Sequence, residues 1–259
     1  MIHLFQPFKI MKKNVLMLGI FLILQVNVFA QLIHSHNDYE QKEPFFAAYN
    51  LGFDSIEADL YLKDGQLCVA HDEKDVSTER TLEKLYIEPL LAKIKQIGGY
   101  PYANKKSLHL LLDLKKNGRA IMEALETSLK PHKKQLTHVI ISISGDMPPP
   151  SEFKHYDTMF FFDGRKNLTY SDSELNRLYI VSASFLDFGK YWPGQTAIPQ
   201  DVADKISVFV KDMHSKNKKV RLWGTPNTIL GYETLQSLGV DVLGTDDLPL
   251  LKNFISRSK

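Results

Sequence analysis

Short apolar runs alternate along this chain with longer stretches whose apolar positions recur every three to four residues. The short runs predict strands at Leu32–His34, Asp54–Leu62, Leu108–Leu114, His138–Ser144, Met159–Asp163, Tyr179–Ser184, Lys219–Trp223 and Asp241–Thr245. A further short run, Leu67–His71, follows "KDGQ", where Asp64 and Gly65 predict a hairpin-like reversal. The longer stretches predict helices in "TLEKLYIEPLLAKIKQIG", "AIMEALETSLK", "DVADKISVFVKDMHSK" and "NTILGYETLQSLG". Eight strand–helix units in about this length predict a TIM (β/α)8 barrel. The competitor, an open doubly wound sheet, calls for a Gly-rich phosphate loop after the first strand, and none is there. A barrel of this kind carries its chemistry at the C-terminal ends of its strands.

Those strand ends are polar. In "DSIEADLYL" successive residues alternate faces, so Ile56, Ala58 and Leu60 lie under helices while Glu57 and Asp59 point into the barrel. Two carboxylates this close are not both charged cheaply without a cation. A hard metal such as Mg²⁺ or Ca²⁺ resolves the pair, and so does an Arg or Lys from a neighbouring strand. "LHLLLDLKK" repeats the pattern, with Asp113 and Lys115 inward. Asp113 is a third carboxylate for the same metal, and Lys115 a point charge for a phosphate oxygen. His34 and His71 stand where strand runs stop. Two imidazoles beside three inward carboxylates suit phosphodiester cleavage: one removes a proton from the attacking hydroxyl, the other protonates the leaving oxygen. His34 is preferred to His36 because it sits at the strand end, with His36 and Asn37 as outer supports; the sequence leaves the choice between the two histidines open. Asp246 and Asp247 read as caps of the helix that follows. Asp163 and Arg165 read as substrate contacts or as a structural pair. "GDMPPPSE" reads as a rigid loop over the mouth.

Composition changes the picture in one place. Lys9, Lys12 and Lys13 precede the apolar run "VLMLGIFLILQVNVFA", the layout of a secretory signal cleaved after Ala30. A mature domain of residues 31–259 loses three lysines and no acid, so the formal net charge goes from +2 to −1. No Lys/Arg stripe argues for nucleic acid. Cys68 is the only cysteine, which excludes an intramolecular disulfide and a Cys-based zinc site. Export without disulfides suits a periplasmic or secreted protein. No amphipathic membrane helix stands out in the mature chain, and the sequence sets no oligomeric state.

"HSHND…AAYNLGFDSIEADLYLKDGQLCVAHD" resembles the glycerophosphodiester phosphodiesterase superfamily, which includes the phosphatidylinositol phospholipase C-like phosphodiesterases. "LLDLK" is similar to the Asp-Leu-Lys of the spider-venom sphingomyelinase D group. "VRLWGTPN" and "LGVDVLGTDDL" look like the family's last two strands, and the His-Ser-His-Asn-Asp-Tyr opening is most like the altered-inheritance-of-mitochondria-six branch. The resemblance implies His34 and His71 as the catalytic pair, Glu57, Asp59 and Asp113 as metal ligands, and Lys115 and Trp223 lining the phosphate site. Ser35 stands where ordinary members have Arg, the Pro-Glu-Asn-Thr signature is missing, and the third acid is Asp113 rather than Glu. These departures bear on the substrate more than on the chemistry. The expected function is a secreted, metal-dependent phosphodiesterase acting on a small glycerol-derived or lipid-derived diester. The alternatives are a phosphatidylinositol phospholipase C-like lyase leaving a cyclic phosphate, and a non-catalytic barrel that binds a phosphorylated ligand.

Overall fold

The computed structural model describes residues 31–257. The expected signal, residues 1–30, lies outside the described residues. Nine strands form one sheet: β1 (Leu32–Ser35), β2 (Ser55–Lys63), β3 (Gln66–Val69), β4 (Leu108–Leu114), β5 (Val139–Gly145), β6 (Phe160–Arg165), β7 (Leu178–Ser184), β8 (Lys219–Trp223) and β9 (Val242–Thr245). All except β3 pair in parallel, and β1 closes the barrel by pairing with both β9 and β2. The expected eight-stranded parallel barrel is the fold. The antiparallel β3 is a flap on β2: Asp64 and Gly65 both take positive φ in its tight turn, and Leu60 stands opposite Val69.

Helices α1 (Phe46–Asn50), α2 (Glu88–Ile97), α3 (Gly118–Leu129), α4 (Asp172–Leu175), α5 (Gln200–Ser215), α6 (Ile229–Ser237) and α7 (Leu248–Arg257) wrap the outside. The core lies between them and the outward strand faces, where Ile56, Leu60, Leu110, Leu112, Ile141, Ile143, Phe160 and Phe162 are fully buried. Pro89 falls where α2 follows a π-helical turn, Glu83–Ile87. That wider turn suits a residue with no N–H to give the preceding ladder. The outer layer is thin around β6: only a 3₁₀ turn, Pro150–His155, precedes it, and the single-turn α4 follows. Arg177 compensates there, its guanidinium donating to the carbonyls of Phe153, Tyr156, Asp157 and Phe160. "GDMPPPSE" runs from the last residue of β5 into that 3₁₀ turn. Gly145 ends β5 at φ 72, and a Cβ there would lie 2.1 Å from Leu114 O, so no other residue fits.

Candidate active site

The alternation of β2 and β4 holds: Glu57, Asp59 and Asp113 face inward, with Asp59 level with Asp113 in the register. Glu57 and Asp113 line a cavity of about 290 Å³ at the C-terminal end of the barrel, together with His36, Asn37, His71, Lys115, Ser144, Asp163, Arg165, Arg221 and Trp223, while Asp59 is fully buried.

His34 does not reach this cavity. It is fully buried inside the barrel, with Nε2 2.7 Å from Glu57 Oε2 and Nδ1 2.7 Å from Ser55 Oγ. The preference for His34 as the mouth residue is therefore corrected. β1 runs on through Ser35, and the His36 N–H still donates to Thr245 O. The strand thus carries the inward-facing His34 below the rim and sets His36 on it. Burial, with Arg221 nearby, lowers the His34 pKa to about 4.

A buried hydrogen-bond chain continues downward. Ser55 Oγ lies 2.8 Å from His109 Nδ1, and His109 Nε2 contacts Ser142 Oγ. His109 is fully buried, and burial holds its pKa well below the usual value. With both rings neutral, one proton arrangement satisfies every link: Ser142 donates to His109, His109 to Ser55, Ser55 to His34, and His34 to Glu57. Sequence reasoning passed over His109, Ser55 and Ser142, although His109 shares the face of Asp113, and Ser55 that of Glu57.

Two other imidazoles do reach the cavity. His36 Nδ1 lies 2.8 Å from Asp246 Oδ1, and Asn227 Nδ2 donates to the other oxygen of that carboxylate. Asp246 thus orients His36 rather than capping α7; Asp247 is the cap, accepting from Leu250 N at 3.0 Å. Burial works against charge on His36, but the Asp246 hydrogen bond and Glu57 outweigh it, and its pKa is raised. His71 is half-exposed. The β3 flap returns it to the level of Asp59, whose carbonyl accepts from Ala70 N. His71 Nδ1 is 3.3 Å from Asp59 Oδ2 and 3.0 Å from the Tyr39 hydroxyl. That hydroxyl is also 2.5 Å from Asp59 Oδ2 and 2.9 Å from Asn37 Oδ1, so Asn37 braces the His71 support. Each imidazole is thus fixed through Nδ1 by a carboxylate, and neither Nε2 has a protein partner among the described residues.

The carboxylates have cationic neighbours. Arg221 Nη2 donates to Glu57 Oε2 at 2.8 Å, and Lys115 Nζ bridges Asp59 and Asp113 at 2.7 Å each. Burial would raise the Glu57 pKa, but Arg221 and His34 hold it far below the usual carboxylate range. Burial wins at Asp59, where the pKa is raised despite Lys115 and Tyr39. Burial opposes charge on Lys115, yet Asp113 and Asp59 raise its pKa. Asp163, fully buried, is pushed up to about 6 by burial against the pull of Arg221. Arg165 donates to Gly145 O, so Asp163 and Arg165 do not form a closed pair.

The Arg and Lys partners weighed against a metal are both present. Among the described residues, no three His, Cys, Asp or Glu side chains are arranged as a ready cation site. Two oxygens are nevertheless left over. Asp59 Oδ1 is buried without a hydrogen-bond partner, and both partners of Glu57 bind Oε2. Carboxylate oxygens without nitrogen or sulfur donors fit a hard cation.

The AIM6-like phosphodiesterase domain family matches residues 23–140, which hold β1 to β4 and so His36, Glu57, Asp59, His71, Asp113 and Lys115. Over that stretch the chain is similar to the AIM6-like phosphodiesterases, and two fungal relatives match most of its length. An altered inheritance of mitochondria protein 6 homolog from Arthroderma benhamiae is 28% identical over 262 residues, covering 86% of this chain and 83% of that protein. Altered inheritance of mitochondria protein 6 from Eremothecium gossypii is 24% identical, covering 86% and 69%. The chain also shares its fold with a glycerophosphodiester phosphodiesterase from Parabacteroides distasonis. That likeness has a TM-score of 0.58 at 16% identity, over 89% of this chain and 99% of the other. The enzyme of the same name from Agrobacterium tumefaciens gives 0.50 at 14% identity, over 86% and 100%. At such identities the likeness speaks for the barrel alone.

Proposed function

We propose that this AIM6-like barrel cleaves a glycerol-derived or lipid-derived phosphodiester by acid–base catalysis between His36 and His71. The observation that carries the reading is the matched pair of imidazoles on one cavity, each held at Nδ1 by a carboxylate and open at Nε2. Anchoring at Nδ1 fixes the tautomer and the ring direction, which is what a proton-transfer residue needs. His36, with its raised pKa, carries the proton and protonates the leaving oxygen; His71 removes a proton from the attacking hydroxyl. Lys115, Arg165 and Arg221 neutralise charge on the phosphoryl oxygens, and Trp223 flanks the substrate at the rim.

Glu57, Asp59 and Asp113 would hold a hard divalent cation, Mg²⁺ or Ca²⁺, which when bound supplies further positive charge to the phosphoryl oxygens. His34 serves the site from below: its N–H and Arg221 together keep Glu57 ionised and fixed. The reading also includes export to the periplasm or the medium, on the basic and apolar start of the chain.

The test is a panel of glycerophosphodiesters and lipid diesters incubated with purified protein and Mg²⁺ or Ca²⁺, followed by phosphorus NMR. A monoester signal supports hydrolysis, and a cyclic phosphate identifies lyase chemistry. No turnover of any diester contradicts the proposal.

A further inference from the structure

The loops after β6, β7 and β8 form one contiguous wall of the mouth. Ser184 stands opposite Trp223 in the β7–β8 register, Lys166 Nζ lies 5.0 Å from the centre of the Phe188 ring, and Thr228 Oγ1 donates to Gly194 O. Large apolar side chains stand exposed on them. Tyr191 is 74% exposed, Leu186 61%, Trp223 43% and Leu168 42%. These are four of the eight large apolar side chains exposed among the described residues, and they lie on the loops after β6 and β7 and at the end of β8. Single exposed apolar residues need no explanation, but a cluster rimming a polar cavity marks a binding surface.

We propose that this rim docks the mouth of the barrel onto a lipid bilayer containing anionic lipid. Two features favour that occupant. Exposed Lys166 and Lys190 stand on the same loops, beside the apolar tips, as anionic headgroups require. Tyr and Trp, with an apolar body and a polar tip, suit the boundary between acyl chains and headgroups. No helix among the described residues is long and apolar enough to cross a membrane, so the barrel itself meets a bilayer only at its surface. The cavity of about 290 Å³ takes a phosphodiester headgroup and leaves no room for two acyl chains, which stay in the bilayer while the rim seats against it. Docking stands without any catalytic claim. That the docked barrel draws its diester from a lipid headgroup rests on the phosphodiesterase reading above.

The chain supplies its own reporter. It has two tryptophans: Trp192 is buried, and Trp223 is on the rim. The experiment adds full-length protein to phosphatidylcholine vesicles with brominated acyl chains, with and without phosphatidylglycerol, and follows tryptophan fluorescence. Expected is quenching that requires phosphatidylglycerol, weakens with salt, and is lost in Trp223→Phe. Leu186→Asp and Tyr191→Asp should each reduce it at least several-fold. Val208→Asp, at a site 69% exposed on α5 and away from the mouth, should leave it unchanged. Absence of quenching at low salt overturns the inference. So does quenching that ignores phosphatidylglycerol, or that Val208→Asp reduces as much as the rim variants. Activity on a soluble nitrophenyl phosphodiester separates the two readings: it should survive Leu186→Asp and Tyr191→Asp. Quenching without any turnover upholds docking and removes the phosphodiesterase.

Discussion

Arg221 on β8 reaches across the barrel interior to Glu57 on β2, with 2.8 Å between Nη2 and Oε2 and both side chains buried. Removing one partner of such a pair leaves an uncompensated buried charge. Arg221→Met is therefore expected to lower stability by ~3–5 kcal/mol at neutral pH. Adding Glu57→Gln should recover part of that loss, because the orphaned charge goes too. Chemical denaturation of both variants checks this, and a loss below about 1 kcal/mol in Arg221→Met would contradict it.

The buried histidines make the fold acid-sensitive. His109 is held neutral, its pKa pushed well below the ordinary 6.5, and His34 behaves alike at about 4. The unfolded chain takes up protons near pH 6.5 that the folded barrel refuses. Their contribution is complete above that pH and is lost as pH falls below it, by about 1.4 kcal/mol per pH unit for each histidine. His109→Gln should flatten the slope of unfolding free energy between pH 6.5 and 4.5. An unchanged slope would place the acid sensitivity elsewhere.

Much of the barrel is legible because strand alternation is strict. The parity of "SIEADL" and "LHLLLDLK" alone puts Glu57, Asp59, Asp113 and Lys115 on the inner face, and the Asp64–Gly65 turn fixes how far β3 returns and so where His71 lands. What parity cannot give is depth along a strand or the partner across the barrel. His34 and His36 share a face, and only the pairing of β1 with β9 shows that the first lies below the rim and the second on it. Arg221 and Asp246 are more than 160 residues from the groups they hold, so closure alone reveals them. α7 is legible only through its cap, because its apolar positions follow directly on the strand-like "VDVLGT", and of the two acids there Asp247 is the one that caps it.

The left-over oxygens of Glu57 and Asp59 predict a competition. Lys115 occupies the gap between Asp59 and Asp113, so its ammonium contends with any divalent cation for the same oxygens. In calorimetric titration with Mg²⁺ or Ca²⁺, Lys115→Met should bind more tightly than the unaltered protein, and Asp59→Asn more weakly. Identical affinities in all three would detach the metal from these carboxylates.

Export makes its own prediction. Protein recovered from its native host should give an N-terminal sequence beginning at Gln31, since "NVFA" ends the apolar run. A sequence beginning at Met1 or Met11 would contradict cleavage.

The measurement closest to the chemistry compares leaving groups in histidine variants. His36→Ala should lower kcat on an alkyl diester by about 10²-fold or more, the usual scale for a lost general acid. A nitrophenyl diester needs no proton on its leaving oxygen, so the same variant should keep most of its activity there. His71→Ala should lose both substrates alike. The contradicting result is a His36→Ala enzyme with normal turnover of both substrates beside a folded His34→Ala enzyme that is inactive. That outcome would return the chemistry to the buried imidazole.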